Sequence, residues 1–432
     1  MPLLLAALCG MGDMMAAPNP PVTISGLRQW PSDNPADTLP AAAGVESTLV
    51  FRANREHPEL SDGRGWTFHH HPDMAVWRGR LYVAWSSCVK DEDSWPNREL
   101  YSTSEDGKSW SKPQELFPEG VSTPFRAYFF RSSDDVMLAY AGIRLDHARL
   151  FEKNKDGMAV RRIMPDHTLG PVYLLRNPAP PGAVAAKPKK PSADGKIKKT
   201  PPPVDGPMPW ESLPFYDTAP DKDFVKACQQ LIANPVVLLQ QDYGVMRDPK
   251  DRMPWMLSND WIKADGYPAS LTSTFGKATS FYHRKDGAIV GISKSCWVTV
   301  STDEGKTWSR PVRPPSLISG TAKVWGQRTA DGRYALVYNP HPKDRRPLIL
   351  VTSDDGVNFS GMCMVDSGTE PQRYEGKSKA TGAQYVRGIA EWASDGSFAP
   401  AKNNLWVVYS INKEDIQVSR VPLPIRAEHA EK

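Results

Sequence analysis

Three short stretches decide the fold. Thr103–Trp110 reads TSEDGKSW, Ser301–Trp308 reads STDEGKTW and Thr352–Phe359 reads TSDDGVNF. Each follows an apolar run: ELYS, WVTV and LILV. The shared frame is Ser/Thr-x-Asp/Glu-x-Gly-x-Ser/Thr/Asn-aromatic. It reads as a β-hairpin turn in which the acid accepts backbone N–H groups, glycine takes a positive φ and the aromatic packs beneath. On this frame Asp303 and Asp354 hold their hairpins and take no part in chemistry. Gly305 and Gly356 lie 51 residues apart, the length of one four-stranded repeat.

The surrounding sequence has strand periodicity. Arg80–Ser86 (RLYVAWS) alternates around Leu81, Val83 and Trp85, and Val136–Ile143, Ala288–Ser293, Cys296–Val300, Tyr334–Tyr338, Leu348–Val351 and Leu405–Ser410 are similar short runs. Gly, Asp, Asn or Pro clusters bound most of them. Only Lys222–Ala233 (KDFVKACQQLIA) has helical spacing, with Phe224, Val225, Cys228, Leu231 and Ile232 on one side. The pattern predicts an all-β protein with one minor helix.

Composition bounds the alternatives. The chain has 432 residues and a formal charge of +4, too small a basic excess for strong non-specific nucleic-acid binding. No apolar run approaches the roughly 20 residues of a membrane span. Leu3–Cys9 is apolar, Ala16 and Ala17 are small, and Pro18–Pro21 follows, so residues 1–17 read as a signal-peptide remnant lacking its basic start. This implies a secreted or periplasmic protein. Cys88, Cys228, Cys296 and Cys363 form no CxxC pair, which argues against structural zinc; two disulfides or four buried thiols both fit. Residues 177–209 (NPAPPGAVAAKPKKPSADGKIKKTPPPVDGPMP) lack any aromatic and read as a disordered Pro/Lys-rich insertion. The expected organisation is a single domain over residues 22–426 interrupted by that insertion.

The three turns resemble the Asp-box, or BNR repeat, of sialidase-like β-propellers. Without leader and insertion, about 380 residues remain, enough for seven four-stranded blades of about 50 each, with six larger blades as the alternative. Three further stretches are similar to a propeller superfamily acting on uronic-acid polysaccharides, which includes ulvan lyases and hydrolases or lyases of rhamnosyl-glucuronate linkages. They are Trp66–Trp95 with its HHP and AWS strings, Lys323–Pro340 with WGQRTADGRYALVYNP, and Glu370–Pro424 with QYVRGI and YSINKEDI. This resemblance covers about a quarter of the chain.

The resemblance implies that a histidine of the HHP stretch carries catalysis, in the order His70, then His71. Imidazole titrates near neutrality and can take and give a proton. Hydrogen-bonded structural histidines are the plain alternative, and a metal site is disfavoured because adjacent histidines on a strand diverge. Gln327 and Arg328 are candidates for gripping a uronate carboxylate, with Trp325 as a sugar platform. Arg373, Tyr374 and Arg387 are further substrate-binding candidates, although Tyr374 and Tyr385 read first as strand packing. The His70 and Gln327 stretches, 257 positions apart, are expected to meet across a closed ring. Asp91–Asp93 reads as a solvated turn, with a structural calcium left open, and Lys413–Asp415 as an internal ion-pair network. No cofactor is required.

The expected activity is cleavage of a uronic-acid polysaccharide at a rhamnose–glucuronic acid type linkage, by β-elimination or hydrolysis. The expected partner is an acidic polysaccharide or oligosaccharide, and the expected state a monomer. A non-catalytic acidic-glycan-binding propeller is one alternative. An exo-sialidase is the other, weakened because no Arg-Ile-Pro motif is present; Arg162-Ile163-Met164-Pro165 carries an inserted Met.

Overall fold

The structure, a computed structural model, describes residues 20–26, 39–92, 94, 96–121, 127–144, 156–176, 212–240, 278–320 and 322–428. All seven strand runs read from periodicity are strands, within two residues at either end. The leader and the 177–209 insertion lie outside the described residues.

The described strands form five meandering sheets. The first comprises Phe68–Trp77, Arg80–Cys88, Asn97–Ser104 and Gln114–Phe117, and the second Ala127–Arg131, Met137–Arg144, Asp156–Ile163 and Leu169–Arg176. Ser280–His283, Ile289–Ser293 and Trp297–Ser301 make the third. The fourth runs Val324–Arg328, Tyr334–Tyr338, Leu348–Ser353 and Asn358–Asp366, with Thr23–Ile24 added in parallel at its edge. The fifth joins Ala383–Ser394, Asn404–Ile411 and Asp415–Pro422 to an N-terminal outer strand, Glu46–Phe51. In each sheet the first strand of the meander lies innermost, and these strands contact one another around the centre. Ala383–Ser394 even pairs in parallel with Phe68–Trp77, at Ile389 and Met74. This is a β-propeller with an N-terminal strand closing the last blade. Five blades are described where seven were expected; residues 241–277, between the second and third sheets, lie outside the described residues.

Helix α1 (Lys222–Ala233) forms where its spacing placed it, capped by Asp221, whose side chain accepts from the Phe224 N–H. It buries Phe224, Ala227, Cys228 and Leu231. A short helix not foreseen, α2 (Pro235–Leu239), follows with Asn234 as its N-cap. Both pack in one core cluster with the second and third sheets. Cys88, Cys228, Cys296 and Cys363 are all buried.

The hairpin turns differ from the expected frame in one detail. Asp106 Oδ1 accepts from Lys108 N and Ser109 N, both at 2.7 Å, and Asp355 Oδ1 from Val357 N and Asn358 N at 2.7 and 2.8 Å. In the middle copy Asp303 Oδ1 accepts from Thr307 N at 2.8 Å. The repeat is therefore Ser-x-Asp, followed at once by Gly107 or Gly356, whereas the middle copy inserts Glu304 at φ +58°. Asp354, expected to hold its hairpin, instead faces outward to Arg333 Nε at 2.6 Å. Glu105 likewise pairs with Arg80. Gly107 is required twice over: its φ is +73°, and a Cβ there would lie 2.1 Å from Trp406.

Each such turn follows the third strand of its sheet. All three therefore lie on one face of the propeller. Loops joining second to third strands lie on the other.

Candidate functional site

Those second-to-third-strand loops converge. Glu92 comes from the first sheet, Lys294 from the third, Arg345 from the fourth and Lys413 from the fifth. Around them stand the heads of three inner strands. His69, His70 and His71 open the first sheet, Lys323 immediately precedes the fourth, and Tyr385 lies near the start of the fifth.

Both the His and the Tyr strands are distorted here. Register shifts fall between His70 and Asp73 and between Gln384 and Arg387. His71 sits at φ +55° and Tyr385 at φ +61°, left-handed values that are costly for residues with bulky side chains. Such bulges re-aim side chains. The result is a packed trio: the His70 ring centroid is 4.1 Å from that of Tyr385 and 4.4 Å from that of His71, and His71 is 4.9 Å from Tyr385.

The three histidines do different things. His69 is structural: its Nε2 meets the Trp66 carbonyl at 2.9 Å, and Trp85 Nε1 donates to its Nδ1 at 3.2 Å. Burial holds its pKa down to about 4. His71 Nε2 bonds Glu92 Oε1 at 2.8 Å. His70 Nδ1 bonds Ser410 Oγ at 2.6 Å, while its Nε2 is buried with no hydrogen-bond partner among the described residues. Burial, reinforced by His71, Lys413, Lys323 and Arg345, drives the His70 pKa well below the usual imidazole value, so it is neutral at pH 7.

Tyr385 is 4% exposed. Lys294 Nζ donates to its hydroxyl at 3.0 Å. The Lys323 ammonium lies 4.3 Å from its ring centroid, the Arg345 guanidinium 5.0 Å and the Lys413 ammonium 5.8 Å. Burial alone would raise the phenol, but Lys294, Arg345 and Lys413 outweigh it and bring the pKa down to about 8. Lys413 also approaches Glu92 at 4.0 Å, and burial lowers its pKa despite that carboxylate. Among the described residues, Lys294, Lys323, Arg345 and Lys413 gather around Tyr385 with the Glu92 carboxylate beside Lys413, a setting suited to an anionic ligand.

The other sequence candidates fall elsewhere. Trp325 is a buried core residue whose Nε1 donates to Gln327 Oε1 at 2.7 Å. Both press on Gly388, where a Cβ would lie 2.2 Å from each. Arg328 is exposed at the far end of its strand, on the face of the hairpin turns. Lys323, not Gln327 or Arg328, meets the histidine stretch, because the strand enters the site by its head. Arg387 is buried below the centre, bonded to Asp73 at 3.1 Å and to Gln240 at 2.5 Å. Arg373 pairs with Asp415 and Glu414, and Lys379 joins Glu414 at 3.1 Å. Tyr374 bonds Glu56 at 2.9 Å. Glu414 and Asp415 thus belong to a network, whereas Lys413 turns to the centre. Asp91 accepts from Ser378 N at 3.2 Å, and among the described residues no group of three or more His, Cys, Asp or Glu side chains is placed to hold a metal.

Comparison with known proteins agrees with the architecture. Residues 21–188 match a family described as the BT_1020-like N-terminal β-propeller, and residues 268–397 match the BNR repeat-like domain. A solved structure named sialidase superposes with a TM-score of 0.75 and 29% identity, covering 96% of this chain and 36% of that one. This is a sialidase-like BNR propeller in fold. The chain spans little more than a third of that sialidase. Trypanosoma rangeli sialidase (11% identity, TM-score 0.45, 88% of this chain and 60% of that one) and the NanB sialidase of Streptococcus pneumoniae (11%, 0.45, 87% and 69%) are more distant. No curated protein matches. Among the described residues no helix is long and apolar enough to cross a membrane.

Proposed function

We propose that this propeller cleaves a glycan at a carboxylate-bearing sugar, with the uronic-acid polysaccharides of rhamnose–glucuronate type as substrate class and the secreted or periplasmic space as its place of action. One observation carries the reading: a neutral His70, whose Nε2 has no hydrogen-bond partner among the described residues, and an acidified Tyr385 hydroxyl sit together inside a ring of Lys294, Lys323, Arg345 and Lys413. The cations neutralise the sugar carboxylate and so make the neighbouring C–H more acidic. In elimination, His70 Nε2 takes that proton, the C–H electron pair forms the ring double bond, and the C–O bond breaks as Tyr385 protonates the departing oxygen. The His70 tautomer fits: Nδ1–H donates to Ser410 Oγ, whose own hydroxyl reaches the Gln384 carbonyl at 3.4 Å. In hydrolysis, water enters instead, with the same two groups assisting.

The similarity to a structure named sialidase favours a second reading, hydrolysis of a terminal acidic sugar at the same centre. Incubation with a panel of uronic-acid polysaccharides and a sialoside separates these. Absorbance from an unsaturated uronate marks elimination; reducing sugar without it marks hydrolysis; free sialic acid marks the second reading. Binding without product would mark a glycan-binding propeller and refute catalysis.

A further inference from the structure

We propose a second saccharide-binding site, for a neutral sugar, on the opposite face of the propeller from the cationic centre. A cleft of about 420 Å³ opens there, lined by residues including Trp392, His283, Glu304, Asn234, Pro235 and Val236. Its placement follows from the topology. The Ala383–Ser394 strand starts beside the axial centre and carries Trp392 near its other end, seven residues beyond Tyr385, or about 23 Å at strand rise. Ser280–His283 likewise ends at His283, and Glu304 belongs to the hairpin turn after Trp297–Ser301. The cleft lies where α2 meets that turn: a Cβ at Gly305 would lie 2.8 Å from Val236.

The lining has the chemistry of a sugar site. Trp392 is partly buried and supplies a flat apolar body, extended by Pro235 and Val236. His283 stands between two carboxylates, with Nδ1 on Glu391 at 2.5 Å and Nε2 3.9 Å from Glu304. The Glu304 gap is too long for a hydrogen bond, and Glu304 is 75% exposed, so its oxygens are available to hydroxyl donors. The hydrogen bond that His283 donates to Glu391 favours the charged imidazolium, against burial. Small-molecule sites commonly combine apolar walls with a few convergent polar groups in a volume of about 300–1,000 Å³. Glu304 and Glu391 repel an anionic sugar, whereas the axial cations attract one. The two faces therefore select different residues of a glycan, and the rear cleft could hold a neutral stretch of the polymer.

The test is saturation-transfer NMR on the whole chain with methyl β-D-galactopyranoside and methyl α-L-rhamnopyranoside as neutral probes, methyl β-D-glucuronide as the anionic probe and tetramethylammonium as the cationic one. Wild type and Tyr385→Phe should both bind a neutral probe, so failure of the axial reading leaves this result untouched. Trp392→Ala should abolish that signal. Glu304→Gln, at an exposed position that spares the fold, should weaken it roughly tenfold, the loss of a charge-assisted hydrogen bond. Neither variant should alter the glucuronide signal. Absence of any neutral-probe signal in wild type, or equal binding in the Glu304→Gln variant, overturns the proposal. So does tetramethylammonium binding that vanishes in both variants while the neutral sugars never bind.

Discussion

Replacing Lys294 by Met should return Tyr385 to an ordinary or higher pKa and shift the alkaline limb of activity with it. Lys294 Nζ lies 3.0 Å from the phenolic oxygen. Coulomb's law at that distance gives about 1.4 kcal/mol in a water-like dielectric and about 5.5 kcal/mol at an effective constant of 20. At about 1.36 kcal/mol per pH unit, the phenol should rise by one unit at the least and about four at the most. Its fall from 10.0 to about 8 is a net effect achieved against burial, so removal of the nearest cation leaves burial to dominate. The assay is tyrosinate absorbance against pH in wild type and Lys294→Met, with Tyr385→Phe as the blank. Wild type should show one tyrosine titrating near pH 8 that the blank lacks. The sign carries to stability. A folded pKa below the unfolded one contributes stability fully above pH 10, lost as pH falls through 8, so unfolding free energy should climb between those values. In turnover, Tyr385 must hold its proton to act as the acid, so activity should fall above pH 8 and that limb should move upward in Lys294→Met. If the pH 8 titration is absent, or survives in Lys294→Met, the cation-ring reasoning is wrong.

Other outcomes follow from the same geometry. His70→Ala should lower turnover about 100-fold or more, the usual span for a general acid or base, with little change in melting temperature relative to His69→Ala. His69→Ala should act mainly on stability, because it strands the Trp66 carbonyl and the Trp85 N–H, and thermal unfolding checks this. Asp355→Ala should lower the melting temperature by releasing the Val357 and Asn358 N–H groups, while Asp354→Ala should leave it nearly unchanged. Arg328→Ala should leave turnover and KM for an acidic substrate unaltered, since Arg328 lies on the far face; a raised KM would mean that the substrate reaches across the ring.

Much of the fold was legible because its signals are local. Strand alternation, the Lys222–Ala233 stripe and the repeated turns each lie within a dozen residues. The acceptor of the turns was misplaced at Asp354 because aligning on glycine hides the extra residue, Glu304, in the middle copy. The blade count of seven rested on dividing length by an average repeat; the described residues hold five of those blades. The site was half legible. His70 stands out as part of HHP, and Tyr385 lies in a quoted stretch but looked like packing. Its left-handed backbone, which turns the ring to the axis, leaves no mark in composition. Lys294, Arg345 and Lys413 were invisible as a set: 53 Lys and Arg residues are spread along the chain, and only the shared position in second-to-third-strand loops gathers these three. Arg387 and Trp325 were taken for ligands by residue type, whereas both are engaged within the core.

The distortion at His71 and Tyr385 says more about the site than any single contact. Regular inner strands would have closed the ring at lower cost, as most of Ala127–Arg131 and Val324–Arg328 does with even register. Non-glycine residues in the left-handed region each cost of order 1–3 kcal/mol and persist only where surrounding structure holds them. Here the two meet edge-on across the inner strands, each one residue beyond a ladder partner, His70 and Gln384. What the bends achieve is specific: they bring His70, His71 and Tyr385 within 5 Å of one another and turn the phenol toward Lys294. Packing alone does not ask for that, since burying an imidazole beside these cations and leaving its Nε2 without a hydrogen-bond partner among the described residues adds further cost. An arrangement that is unfavourable in backbone, in desolvation and in like charge at once is what the proposed function calls for: on that proposal the carboxylate of an anionic ligand would answer the cations and its reacting hydrogen would meet His70 Nε2.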